Sequence, residues 1–253
     1  MATSLQTDNI GLGIWSPSDT IQTADVNSNM GILDKEISGI KVASTIEDIE
    51  ITVNIADLQA TIDSLPKVIN HNVIINVNAG TYAGEIVIEK FMGVGTISII
   101  GASVSGATTH NVSNVIIREN TLRDFSVEGL RTTTGTTFCF QIEYNSSLRV
   151  VLNNNTATSG SSATADNYGI RAYATSLVFV NNGNVFSNKN RAIYCAYGKI
   201  ITNNNSGTGN NIAYMANNGG AIHQMTSAAT LTGTTLNTRS SGGYIMKADG
   251  TFV

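Results

Sequence analysis

The chain has 253 residues, enough for one large domain or two small ones and for a substantial buried core. Only 13 % of its residues are charged, about half the usual share, while 42 % are hydrophobic. The net charge of −4 argues against a nucleic-acid footprint and against a membrane-surface footprint.

No apolar run reaches eighteen residues, so no membrane insertion is expected. Met1-Ala2-Thr3-Ser4 lacks the charged and apolar regions of a secretory signal peptide, which predicts synthesis in a cytoplasm. The two cysteines, Cys139 and Cys195, are too few for a disulfide framework and are expected as free, core-filling thiols. Glycine is abundant (24) and proline scarce (2), which suits many tight turns joined by hydrogen-bonded backbone.

In chain order, Trp15-Ser16-Pro17-Ser18-Asp19 reads as a turn, followed by a helix over about 24–38 with Thr23 as N-cap. Its apolar positions Val26, Met30, Leu33, Ile37 and Ile40 alternate spacings of four and three. That is either a short coiled-coil seam or one face of a surface helix. Lys41 to Val53 is linker-like, so residues 1–53 form a leader region. A second helix over 55–65 follows Asn54 as N-cap, presents Ile55, Leu58, Ile62 and Leu65 on one stripe, and stops at Pro66. Its expected task is to cover the hydrophobic end of what comes next.

From about Asn70 onward, short β-branched clusters recur between Gly, Asn, Thr and Ser: Val73-Ile74-Ile75, Ile86-Val87-Ile88, Ile97-Ser98-Ile99-Ile100 and Val115-Ile116-Ile117. Ile75 to Ile97 is 22 residues. Ser147-Leu148 returns as Ser176-Leu177 after 29, and Leu177 is followed by its counterpart Lys199 after 22. Gly169-Ile170-Arg171-Ala172 returns as Ala192-Ile193-Tyr194-Cys195 after 23. Repeats of this period predict a mainly β fold, a parallel β-helix over 54–253 in which each repeat closes one coil. Asn153-Asn154-Asn155 and Asn203-Asn204-Asn205 follow apolar strands, where Asn suits a left-handed turn and can stack into a side-chain ladder. The competing architecture is a β-sandwich, which would favour hairpin turns.

Ile75-Asn76-Val77-Asn78-Ala79-Gly80-Thr81-Tyr82, then Ile86-Val87-Ile88 and Ile97-Ser98-Ile99-Ile100-Gly101, resembles the opening coils of the pectin-lyase-like right-handed β-helix superfamily. Trp15-Ser16-Pro17-Ser18-Asp19-Thr20-Ile21, Ala24-Asp25-Val26-Asn27-Ser28-Asn29 and Ile32-Leu33-Asp34 resemble the leader of bacteriophage tail-fibre and tail-associated structural proteins. Asp57-Leu58-Gln59-Ala60-Thr61-Ile62-Asp63-Ser64-Leu65-Pro66-Lys67 ahead of a β-helix is similar to phage tail proteins as well. These resemblances imply a homotrimeric tail fibre or receptor-binding protein. They imply attachment to other tail proteins through the N-terminal region, location in the virion tail, and contact with host surface polysaccharide.

Many pectin-lyase-like proteins cleave or de-esterify polysaccharides, so a tail-borne depolymerase is the alternative function. Past Glu143 the only side-chain carboxylates are Asp166 and Asp249, too sparse for the carboxylate pair a glycosidase needs. Arg118, Glu119, Arg123, Asp124, Glu128, Arg131 and Glu143 are denser, and solvated strand-edge charges explain them as well as a catalytic pair does. The aspartate and glutamine motifs of the superfamily's esterases are missing. His71, His110 and His223 are isolated, so no metal and no cofactor is expected. A binding surface fits better. If Ile170 and Ile193 point inward, Arg171 and Tyr194 point outward on adjacent coils, with Tyr173 and Tyr197 nearby. Arg171, Tyr173, Tyr194 and Tyr197 are the expected ligand contacts. The alternative is that these tyrosines are half-buried strand residues or pack between subunits of a trimer.

Overall fold

The computed structural model describes residues 47–253 except 105, 107, 136, 176 and 227–229. The helix expected over 24–38, its seam and the Trp15 turn lie outside the described residues. From Glu47 onward the chain winds into a parallel β-solenoid of about eight turns.

Each full coil has three faces. The first face is a nine-stranded parallel sheet: Ile49–Asn54, Asn72–Asn78, Thr96–Ile100, Asp124–Glu128, Arg149–Asn153, Leu177–Val180, Lys199–Thr202, Ala221–Gln224 and Tyr244–Met246. The second face carries very short strands, such as Arg131–Thr132, Thr156–Ala157 and Val185–Phe186. The third carries Ile86–Glu89, Val115–Arg118, Phe138–Glu143, Tyr168–Tyr173 and Arg191–Ala196. The long strand Ser206–Asn217 runs across both, which joins those two faces into one sheet.

Period-two alternation sends one residue in two inward. On the first face Val73, Ile75, Ile97, Ile99, Phe125, Val127, Val150, Leu152, Val178, Val180 and Ile200 are buried. On the third, Phe140, Ile170, Ile193 and Tyr214 form one inward row. Identical inward rows on every coil make one continuous core cluster along the stack.

Coil length varies in the turns, and this corrects two spacings read from the sequence. Ile75 pairs with Ile99, and Val73 with Ile97, so the first repeat is 24 residues rather than 22. The error is an even number, and the inward set is unchanged. Val150 pairs with Val178, a shift of 28 rather than 29. That slip is odd and matters: Leu148 is 70 % exposed, and Val150 and Val178 are the residues that face the core. The 23-residue match holds as read, with Ile170 on Ile193, Arg171 on Tyr194 and Ala172 on Cys195.

The stretch before Asn54 is also more than a linker. Ile49–Asn54 alternates apolar and polar and pairs in parallel with Asn72–Asn78. Beyond it, Ile55–Asp57 forms a 3-10 turn and Leu58–Ser64 an α-helix. Ile55, Leu58, Ile62 and Leu65 are buried as the stripe predicts. Asn54 makes no side-chain cap to the backbone; its amide donates to Asp57 Oδ2 instead. The helix covers the first coil in two ways. Its apolar stripe closes the core, and Gln59 accepts from Val87 N at 2.7 Å while donating to Val87 O at 3.0 Å. One side-chain amide thus occupies the open edge of Ile86–Glu89 as a neighbouring strand would.

Asparagine holds the corner between the first two faces. Gly129, Asn154, Gly183 and Asn204 turn it with positive φ (69°, 52°, 81° and 53°). The next residue points inward. Asn155 Oδ1 accepts from Leu130 N, Asn184 Oδ1 accepts from Asn155 N, and Asn184 Nδ2 donates to Asn205 Oδ1, at 3.0, 3.0 and 2.9 Å. This buried ladder satisfies backbone groups that the turns release from the sheet.

Candidate functional site

The corner between the third face and the first is built differently. Its left-handed positions are Lys90, Glu119, Tyr144, Ala174, Tyr197 and Asn218, with φ from 46° to 63°. Only Asn218 is a residue that tolerates this conformation well. Backbone bonds between coils hold the shape, as when Tyr144 N donates to Tyr173 O and Ala174 N to Ala196 O. A tyrosine at such a position carries strain of about 1 kcal/mol. Tyr144 and Tyr197 carry it and are 55 % exposed each.

Tyr173 lies between them, outward on the strand one coil after Tyr144 and one before Tyr197. Its ring meets Tyr144 at 5.8 Å and Tyr197 at 5.4 Å, both edge to face. The Arg171 guanidinium sits over Tyr173 at 4.9 Å and over Phe138 at 5.0 Å. Arg171 Nη1 is 3.6 Å from Glu143 Oε2 on the preceding coil. Gln141, the register partner of Arg171, is buried, and its Oε1 has no hydrogen-bond partner. The strip therefore combines two projecting phenols, a ring between them, a planar cation and an unsatisfied amide oxygen.

Of the four residues expected from the sequence, Arg171, Tyr173 and Tyr197 meet in this strip. Tyr194 is the register partner of Arg171 on the next coil, but it is covered. It is 9 % exposed, packs on Tyr168 at 5.3 Å, and its hydroxyl accepts from Asn217 Nδ2. Arg191 lies over both of these rings and donates to the Tyr168 hydroxyl. Tyr144, Phe138 and Gln141 join the strip without having been singled out. The same alternation finds Gln141, carried back one coil through a 30-residue register that the long 158–167 turn obscures; Phe138 and Tyr144 have inward parity and reach the strip from the strand start and the left-handed corner.

Only part of the denser charged group comes together: Arg118 is the register partner of Glu143 and lies near Glu119, and the other members are spread over the remaining faces and corners. Glu89 and Arg118 pair at 2.6 Å on the third face, and that hydrogen bond holds the Glu89 carboxyl below the usual carboxylate range. Asp124 forms a two-point pair with Arg149 on the first face. Glu128 accepts from Asn154 at one corner, and Arg131 lies on the second face. No protein-family model matches the chain, and no curated protein or solved structure matches it significantly. Among the described residues no group of three or more His, Cys, Asp and Glu is placed to hold a metal ion. No helix among them is long and apolar enough to cross a membrane.

Proposed function

We propose that this chain is a bacteriophage tail-associated structural protein, a tail fibre or receptor-binding protein, that contacts host cell-surface glycans without catalysis. The observation that carries the glycan reading is the pair Tyr144 and Tyr197, held exposed in a backbone conformation that favours Gly or Asn. Strain kept at an exposed aromatic is a reason to look for a ligand. Sugar rings stack on phenol faces, and Arg171 supplies a neighbouring polar contact. The leader sequence supports the phage-tail reading by resemblance, with attachment to other tail proteins through the N-terminal region. Few surface charges support a parallel homotrimer, because solenoid flanks can meet without burying unpaired ions.

The test is binding of host surface polysaccharide to the intact protein and to Tyr197→Asn, with the same mixtures assayed for new reducing ends and unsaturated sugars. Binding that weakens in Tyr197→Asn without sugar release supports the proposal. Release of either product assigns a depolymerase instead. Equal binding by both proteins removes the strip from the site.

A further inference from the structure

Lys189 is fully buried. It follows Asn188, a left-handed corner residue between the second and third faces, at a position that points inward. Its side chain runs back along the stack, and Nζ reaches three acceptors: Ser159 O at 2.5 Å, Asn167 Oδ1 at 3.1 Å and Cys139 Sγ at 3.1 Å. Cys139 is also fully buried and stands 50 residues earlier in the chain. The 158–167 turn lies between their coils, with Gly160 and Ser161 exposed on its outer side. The molecule supplies its own comparison. Cys195 is equally buried, and burial pushes its thiol up to about 12, but its polar neighbours are the backbone amides of Ala221, Gly198 and Ile200.

We infer that Cys139 and Lys189 are a modification site, at which a peroxide closes a covalent sulfur–nitrogen cross-link between two coils of the solenoid. Hydrogen peroxide oxidises the Cys139 thiol to the sulfenic acid and is itself reduced to water. Lys189 Nζ, already in contact with the sulfur, displaces the hydroxyl. The S–N bond forms, the S–O bond breaks, and the hydroxyl leaves as water with a proton from the nitrogen. A second proton passes to solvent when the amine starts as an ammonium. No further oxidant is needed. Cys195 has only backbone amides beside its sulfur, whereas Cys139 has the Lys189 nitrogen at 3.1 Å, so the geometry selects Cys139 over Cys195. Local opening of the 158–167 turn admits the small oxidant. The link closes a long loop and raises the urea midpoint.

The experiment treats the native protein with hydrogen peroxide, blocks remaining thiols, and maps tryptic peptides by mass. A control sample is denatured before oxidation, which separates the two side chains. The expected product joins residues 132–149, which hold Cys139, to 172–191, because a linked Lys189 resists trypsin. It appears only in the native sample, while residues 192–199 carry Cys195 as a free thiol. Cys139→Ser and Lys189→Arg lose the product, and the wild-type comparison decides even where a variant folds poorly. Recovery of Cys139 as a thiol, or as its sulfinic or sulfonic acid beside a cleavable Lys189, overturns the proposal. So does equal cross-linking in the denatured control.

Discussion

Tyr173 meets Tyr197 edge to face across neighbouring coils, with ring centroids 5.4 Å apart and planes at 82°. The contact exists because Ala196, the register partner of Tyr173, is followed by a left-handed Tyr197 that folds back over the earlier coil. An asparagine at 197 could turn the corner equally well, so the phenol is not there to make the turn. Fold and display are separable at this one position.

Tyr197→Asn should therefore leave stability unchanged or raise it by up to ~1 kcal/mol, since Asn relieves left-handed strain. Glycan affinity should fall about tenfold, the equivalent of losing ~1.4 kcal/mol. Urea unfolding and titration with the polysaccharide measure the two effects on one preparation. A variant that loses stability and keeps affinity would refute the separation.

Asn184→Ala should destabilise the solenoid by at least the ~1–3 kcal/mol expected for each stranded polar group. Asn184 accepts from Asn155 N and donates to Leu152 O, Asn181 O and Asn205 Oδ1, all away from water. The exposed Asn182 makes the comparison, because Asn182→Ala should stay within ~0.5 kcal/mol of wild type. Equal urea midpoints for the two variants would mean that the ladder contributes nothing.

Ile193→Asp should abolish the fold, because an unpaired carboxylate in the inward row costs several kcal/mol. Ile193→Val should cost only about 0.5–1.5 kcal/mol and keep the native far-UV spectrum. A soluble, native-like Ile193→Asp protein would contradict the inward assignment.

Alkaline pH should unfold the protein. Burial raises both Tyr214 and Cys195 to about 12, above unfolded values near 10 and 9. A folded-state value above the unfolded one gives stability that is complete below the unfolded value and is lost as pH rises through the folded one. Stability should thus decline from roughly pH 9 to pH 12, by up to ~1.4 kcal/mol per pH unit for each group. Tyr214→Phe should flatten the upper part of that decline. Urea midpoints that stay constant across this range would show that neither group is protected in solution.

Light scattering should give a mass three times that of the chain. Val94 and Leu148 are 69 % and 70 % exposed and line one groove at the corner turns, an apolar stretch suited to burial between subunits. A form beginning at Glu47 should therefore remain trimeric, and adding Val94→Lys with Leu148→Lys should release monomers. Monomers from the shortened form alone would move the interface to the leader, and a monomeric full-length protein would reject the trimer.

The sequence by itself determined the solenoid. Short β-branched clusters, Asn at turns and a repeat near 22 residues can bury their apolar faces only by stacking, and the 23-residue match placed Ile170, Arg171 and Ala172 on Ile193, Tyr194 and Cys195 because no insertion lies between them. Tertiary structure decided what variable turns conceal. The turn over 158–167 changes coil length, so the Val150–Val178 register and the place of Tyr144 beside Tyr173 follow from hydrogen bonding between coils rather than from spacing. Alternation tells which residues leave the core, but it cannot tell that Tyr197 stays in solvent while Tyr194 is covered by Tyr168 and Arg191. Nor does any local pattern join Lys189 to Cys139. A lysine normally reaches for water, and this one is turned inward because its corner position faces the core and three acceptors on earlier coils replace its hydration.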